Sequence, residues 1–161
     1  MWQGLFSLTN AVALALWIVL ILLPRRPFAL ALVLYAGVGL LCLAYVAMAA
    51  ALLAGWADPA RDAAAPAMDL ADYSIAGLKN AFRSDGAIAL GWTHYLALDL
   101  FTGLWIARDA DAKGFSRVTQ APVLLLTFLA GPAGLLAWLF IRERRARGPG
   151  GWTSKRKTPA G

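Results

Sequence analysis

The chain has 161 residues, 60% of them hydrophobic and only 15% charged, with a mean hydropathy of +0.63. A soluble domain is nearer half apolar and a quarter charged, so this composition excludes an ordinary soluble domain and indicates an integral membrane protein of one domain. The net charge of +6 does not point to nucleic acid, because seven of the 15 basic residues, from Arg142 to Lys157, follow an apolar stretch directly and read as an anchor on anionic lipid headgroups. Cys42 is single, which excludes a disulfide framework or a thiolate metal site within one chain.

Four apolar stretches approach the roughly 20 residues that a bilayer demands. The first spans about 5–23. It lacks a basic leader, and Leu22-Leu23-Pro24-Arg25-Arg26 is a poor cleavage site, so it is read as a retained span rather than a signal peptide. Asn10 and Trp17 are seven apart and share a face. Asn10 either hydrogen-bonds a neighbouring helix, caps the helix start, or lines a pocket. Pro24 to Pro27 forms a basic turn. The second span covers about 28–53, where Gly37 and Gly39 permit close helix approach and Tyr35, Cys42 and Tyr45 share a side. Trp56 to Met68 reads as a loop. Ile75, Leu78 and Phe82 then recur at helical spacing, which predicts a short interfacial amphipathic helix or a lid before the third span.

The third span covers about 87–107 and holds the most informative residues. It carries the only histidine, His94, and Asp99 inside its apolar length. An ionisable group there costs a few kcal/mol on insertion, about 2.5–3.5 at the bilayer centre, and tends to face a bundle interior or a cavity. On a helix, His94, Thr102, Tyr95 and Asp99 follow in that angular order within an arc of roughly 140°. Asp99 lies one turn beyond Tyr95. His94 and Asp99 diverge, yet both can reach one pocket. Trp92 and Trp105 mark the ends of the span like an aromatic belt, and Arg108 and Asp109 read as an interfacial charge pair. The fourth span covers about 122–141, with Gly131-Pro132 at its middle as a proline kink. The segment 143–161 reads as a basic, disordered cytoplasmic tail.

The predicted fold is all-α, an integral membrane four-helix bundle over 1–142 with the interfacial helix before the third span. Four spans put both termini on one side. That side, with the loop between spans two and three, would hold ten Lys/Arg and the other side five, which favours both termini in the cytoplasm. Arg25 and Arg26 fall on the wrong side of that count.

No phosphate loop, nucleophile elbow or metal-ligand cluster occurs, so no metal and no cofactor is expected. Acid–base work remains. A carboxylic acid kept neutral by an apolar site can donate a proton, and a histidine can act as base. Thus His94, Asp99 and Tyr95 are the candidate catalytic residues. Asn10, Trp17, Trp92, Thr102 and Trp105 are the candidate substrate-binding residues. The structural alternative is that His94, Tyr95, Asp99 and Asn10 join helices by hydrogen bonds worth about 1 kcal/mol each.

The run Leu5-Phe6-Ser7-Leu8-Thr9-Asn10 with Trp17 and Pro24, the stretch Gly91-Trp92-x-His94-Tyr95-Leu96-Ala97-x-Asp99-Leu100-Phe101-x-Gly103-x-Trp105-Ile106, and Gly131-Pro132-x-Gly134-Leu135 resemble, in order, the abscisic-acid-deficient-four-like family. That family includes the plant neoxanthin synthases. The resemblance implies a small membrane protein linked to conversion of an epoxy-carotenoid to an allenic one. On this chain Asp99 would protonate the epoxide oxygen and His94 would take a proton from the neighbouring polyene carbon. The Ala-, Arg- and Gly-rich composition points to a bacterial inner-membrane protein. The expected partners are membrane lipid, a carotenoid or other isoprenoid, and a carotenoid enzyme complex or a second copy of the chain. The competing readings are a non-catalytic pigment- or lipid-binding protein, or an accessory subunit. A transporter is disfavoured by the single ionisable pair and the lack of repeats.

Overall fold

The computed structural model describes residues 1–57, 72 and 74–143. Among these residues the fold is six helices with no strand: α1 Trp2–Leu22, α2 Pro27–Leu53, α3 Ile75–Ala81, α4 Asp85–Ala112, α5 Arg117–Leu129 and α6 Gly131–Glu143. Local chemistry sets several of their starts. Pro27 opens α2, where its missing N–H costs nothing. Serine side chains cap the next three helices: Ser74 accepts from the Gly77 amide, Ser84 from Ala87 and Ser116 from Thr119. Between Val33 and Gly39, α2 widens into a π-helical stretch.

α1 and α2 are each long and apolar enough to cross a membrane. α4 has 28 residues, about 42 Å at 1.5 Å per residue, and is the axis of the molecule. α1 runs parallel to it: Trp2 lies against Gly86, Trp17 lies over Gly103, and Arg25, just after α1, reaches the Ala107 carbonyl at 3.0 Å. α2 runs antiparallel, with Gly37 closed between Leu16 and Leu100, and Leu52 against Gly86. The core between these helices holds Trp17, Val33, Leu41, Leu100 and Ile106, all nearly or fully buried.

The last two helices correct the sequence reading. A single kinked fourth span over 122–141 is not what forms. The helix starts earlier, at Arg117, and breaks at Ala130, which adopts φ −155° and ψ 82°. The chain then turns back. Gly134 sits directly on the backbone of Thr127, so close that a Cβ there would collide with it. Residues seven apart in a continuous helix are about 10 Å apart, so this contact is only possible in a hairpin. At the other end of the pair, Phe115 before α5 and Trp138 on α6 meet edge to face at 5.1 Å. Pro132 explains the break, because its ring would clash with the carbonyl of residue 128 in a continuing helix. It does not dictate the reversal, which the Gly134–Thr127 contact and the packing on α4 supply.

The hairpin tip at Gly131 lies beside Asp99, midway along α4, and its outer ends lie beside Asp109 and Asp111. The described chain therefore starts at the Asp85 end of α4 and finishes at its Ala112 end. The two ends of the described chain lie at opposite ends of α4 because α5 and α6 run out and back. The basic segment 144–161 and the loop residues 58–68 lie outside the described residues.

Candidate functional site

His94 and Asp99 point to different surroundings. His94 is exposed on the α2 side of α4, where its ring stands 5.4 Å from that of Tyr45. Both rings line a cavity of about 490 Å³. Its other walls are apolar and come from the end of α2 (Ala49, Leu52), from Phe82 beside α3, and from Leu90 and Gly91 of α4. Phe82 lies over Gly91. The stripe of Ile75, Leu78 and Phe82 is thus split: Phe82 covers the cavity while Ile75 is 74% exposed. The short helix α3 both lies at the surface and contributes a wall.

Asp99 faces the hairpin. It is only 8% exposed, and its Oδ1 abuts Gly131 so closely that any side chain at 131 would strike the carboxylate. The first turn of a helix carries free amides and a partial positive charge, and Asp99 meets that end of α6. Its Oδ2 is buried with no hydrogen-bond partner among the described residues. Tyr95, one turn earlier, donates its hydroxyl to the Leu129 carbonyl at 3.4 Å, which is one of the free carbonyls at the end of α5.

The remaining candidates separate in the same way. Asn10 accepts from the Trp92 indole N–H at 3.0 Å and donates to the Phe6 carbonyl at 2.6 Å. It joins α1 to α4, and Trp92 stacks between Phe6 and Tyr95. Trp17 is 2% exposed and packs edge to face on Phe128 of the hairpin at 5.6 Å. Thr102 turns its hydroxyl to the Leu98 carbonyl of its own helix. Trp105 lies under the Arg142 guanidinium, 5.4 Å from its centre. None of Asn10, Trp17, Trp92, Thr102 and Trp105 lines the His94 cavity.

A polar cluster at the Ala112 end holds the hairpin. Asp109 receives Arg142 Nε at 2.9 Å and Nη2 at 3.1 Å, the Trp138 indole at 3.0 Å, and Lys113 Nζ at 3.4 Å. The sequence pairs Asp109 with Arg108; its partners instead come mainly from α6, 29 and 33 residues away. Burial alone would raise this carboxyl, but the Arg142 guanidinium, helped by Trp138 and Lys113, outweighs burial and holds it below the usual carboxylate range. Arg25 donates to Asp111 at 2.8 Å and to Gln120, tying the α1–α2 turn to the start of α5. Arg117 donates to the Ile21 carbonyl at 3.2 Å, at the end of α1.

The ABA DEFICIENT 4-like family model matches residues 4–138. The chain belongs to this family. No curated protein and no solved structure gave a match. Membership relates the chain to neoxanthin synthase-like proteins. In this ABA DEFICIENT 4-like protein the matched residues include both the His94 cavity and most of the hairpin, though Arg142 lies beyond them. The lid reading of the Ile75–Phe82 stripe pointed toward Phe82, whereas Tyr45 read as a packing residue rather than a cavity wall. The signal for Tyr45 was faint, since a tyrosine on an apolar helix is ordinary. Only the pairing of α2 with α4 gives it a histidine opposite.

Proposed function

We propose that this protein is a membrane isomerase of carotenoid or isoprenoid metabolism, acting on an oxygenated isoprenoid whose end group enters the Tyr45–His94 cavity. The reading rests on one observation: an apolar cavity of about 490 Å³ with a phenol and an imidazole at its wall. Apolar walls with a few polar groups suit a lipid-like ligand, and an acid and a base facing each other suit proton transfer. Family membership supports the substrate class.

For an epoxide at the end of a polyene, the Tyr45 hydroxyl donates its proton to the epoxide oxygen as the C–O bond on the polyene side breaks. The imidazole of His94 takes the proton from the next polyene carbon, and that C–H electron pair forms the second double bond of an allene. The product is a tertiary alcohol of unchanged composition. Returning the proton from His94 to the Tyr45 phenolate resets the site, so the step is redox-neutral. Tyr45 here takes the part first given to Asp99, because Asp99 is buried under the hairpin and not among the cavity walls. The chain is set in the bacterial inner membrane, where its apolar helices have their solvent.

The test is pigment analysis in a host that makes epoxy-carotenoids. Wild type, His94→Ala, Tyr45→Phe and Asp99→Asn are expressed and their pigments separated by chromatography with mass spectrometry. An isomer of unchanged mass is expected with wild type and Asp99→Asn, and absent with the other two. Loss only in Asp99→Asn, with all four proteins folded, would return the acid role to Asp99. No isomer from any, with pigment still copurifying, favours the binding-protein reading.

A further inference from the structure

The fold-back of α5–α6 changes how the chain is threaded through a membrane. Each helix has 13 residues, about 20 Å, which is short of a hydrocarbon core of about 30 Å. Both outer ends sit at the Ala112 end of α4: Arg117 at the last carbonyls of α1, and Arg142 on Asp109. The tip reaches only the midpoint of α4, at Asp99. A broken helix at that depth is tolerated where protein covers its free backbone groups. Here the Leu129 carbonyl takes the Tyr95 hydroxyl, and Gly131 is buried against Asp99.

An independent line of evidence follows from charge. With the hairpin returning to its own side, the Ala112 end carries the 24–27 turn (Arg25, Arg26), the last turns of α4 and the start of α5 (Arg108, Lys113, Arg117), and Arg142, which the six further basic residues follow in sequence. That is twelve of the 15 Lys/Arg. Only Arg61, Lys79 and Arg83 belong to the segment joining α2 to α4 at the other end. Four crossings would divide the same residues ten to five and leave Arg25 and Arg26 on the poorer side. The bias in short loops and flanks sets orientation, and anionic lipid on the cytoplasmic leaflet attracts such basic segments.

We infer that the chain crosses the membrane three times, through α1, α2 and α4, with α5–α6 as a re-entrant hairpin on the cytoplasmic, anionic-lipid side and the N-terminus on the opposite side. The cavity of Tyr45 and His94 is built from the second half of α2 and the first half of α4, so it opens in the leaflet away from the cytoplasm. Its ligand enters from that leaflet. The orientation itself does not rest on what the cavity holds.

Single-cysteine labelling of the full chain in intact bacterial cells tests this. Cys42→Ser removes the native thiol, and Gln3→Cys, Ala112→Cys or Ser154→Cys is added singly. A membrane-impermeant maleimide is expected to label Gln3→Cys in intact cells, and the other two at least tenfold less until the cells are permeabilised. A green fluorescent protein fused after Gly161, which fluoresces only when it folds in the cytoplasm, is expected to fluoresce. Equal accessibility of Gln3→Cys and Ser154→Cys would overturn the hairpin topology. Ala112→Cys and Ser154→Cys both labelled in intact cells, with Gln3→Cys protected, would overturn the orientation. Either result leaves the pigment assay untouched, so the two readings fail separately.

Discussion

His94 and Asp99 lie five residues apart on one helix, yet they live in different parts of the molecule. His94 faces the widening gap between α2 and α4, where Tyr45 and Phe82 leave a cavity. Asp99 faces a hairpin tip that seals it to 8% exposure. The first environment has room for a ligand and a partner for proton transfer. The second is closed by Gly131, with Tyr95 one turn along the same helix. A polar residue in an apolar helix is defined by what packs opposite, and here α2 and the hairpin supply the two surroundings.

That contrast can be broken by mutation, and the largest effect belongs to the hairpin side. Arg142→Ala leaves Asp109 as a buried charge without its bidentate partner, both side chains being at most 12% exposed. Removing one partner of a buried pair costs about 3–5 kcal/mol, so thermal unfolding in detergent should shift down by many degrees, with His94-side ligand binding lost only as the fold is lost. The same pair makes stability depend on pH. The folded value of Asp109 lies below its unfolded value of about 3.9, so the unfolded chain binds the proton more readily. The stabilisation is complete above that pH and is lost as pH falls through the folded value. Unfolding temperature in wild type should therefore drop below about pH 4, and that drop should shrink in Asp109→Asn.

Next comes the tip. Gly131→Ala drives a methyl group into the Asp99 carboxylate. Overpacking of this kind costs about 1–3 kcal/mol, and part of the loss should be recovered in the double variant with Asp99→Ala, read as non-additive unfolding free energies. A smaller effect is expected at the α1–α4 joint. Trp92→Phe removes the indole N–H donated to Asn10 and should cost about 0.6–1.7 kcal/mol, the range for interhelical bonds in a membrane. The smallest stability effect should be at the cavity: His94→Ala is expected to stay within about 0.5 kcal/mol of wild type while abolishing the proposed isomerisation. A large loss of stability in His94→Ala would erase the distinction between the two faces.

How much could be read beforehand depended on the range of the interaction. The apolar runs of α1 and α2, the start of α2 at Pro27 and the helical spacing of Ile75, Leu78 and Phe82 are local patterns, and they give helices close to the expected bounds. Asn10 as a link between helices was one of the readings left open, and the bond to Trp92 is such a link. A disturbance of the helix at Gly131-Pro132 was legible because proline removes a backbone donor and crowds the preceding turn. Its consequence was not legible, because a kink and a reversal share the same local chemistry. The reversal needs Gly134 to meet Thr127 and Asp109 to meet Arg142, and no window of neighbouring residues contains the second pair. His94 and Asp99 were likewise visible as unusual residues, but a helical wheel gives directions without saying which neighbour stands in each.

By itself, then, the sequence determined that this chain is helical and apolar, where its first helices lie, and which family it belongs to. These follow from side-chain hydropathy, capping groups and proline geometry, all acting within a few residues. Tertiary structure alone decided that the last apolar stretch folds back, that Asp99 is covered by it, and that Tyr45 stands opposite His94. Those outcomes depend on packing and ion pairs between residues tens of positions apart, where the energy of a contact exists only once the helices have met.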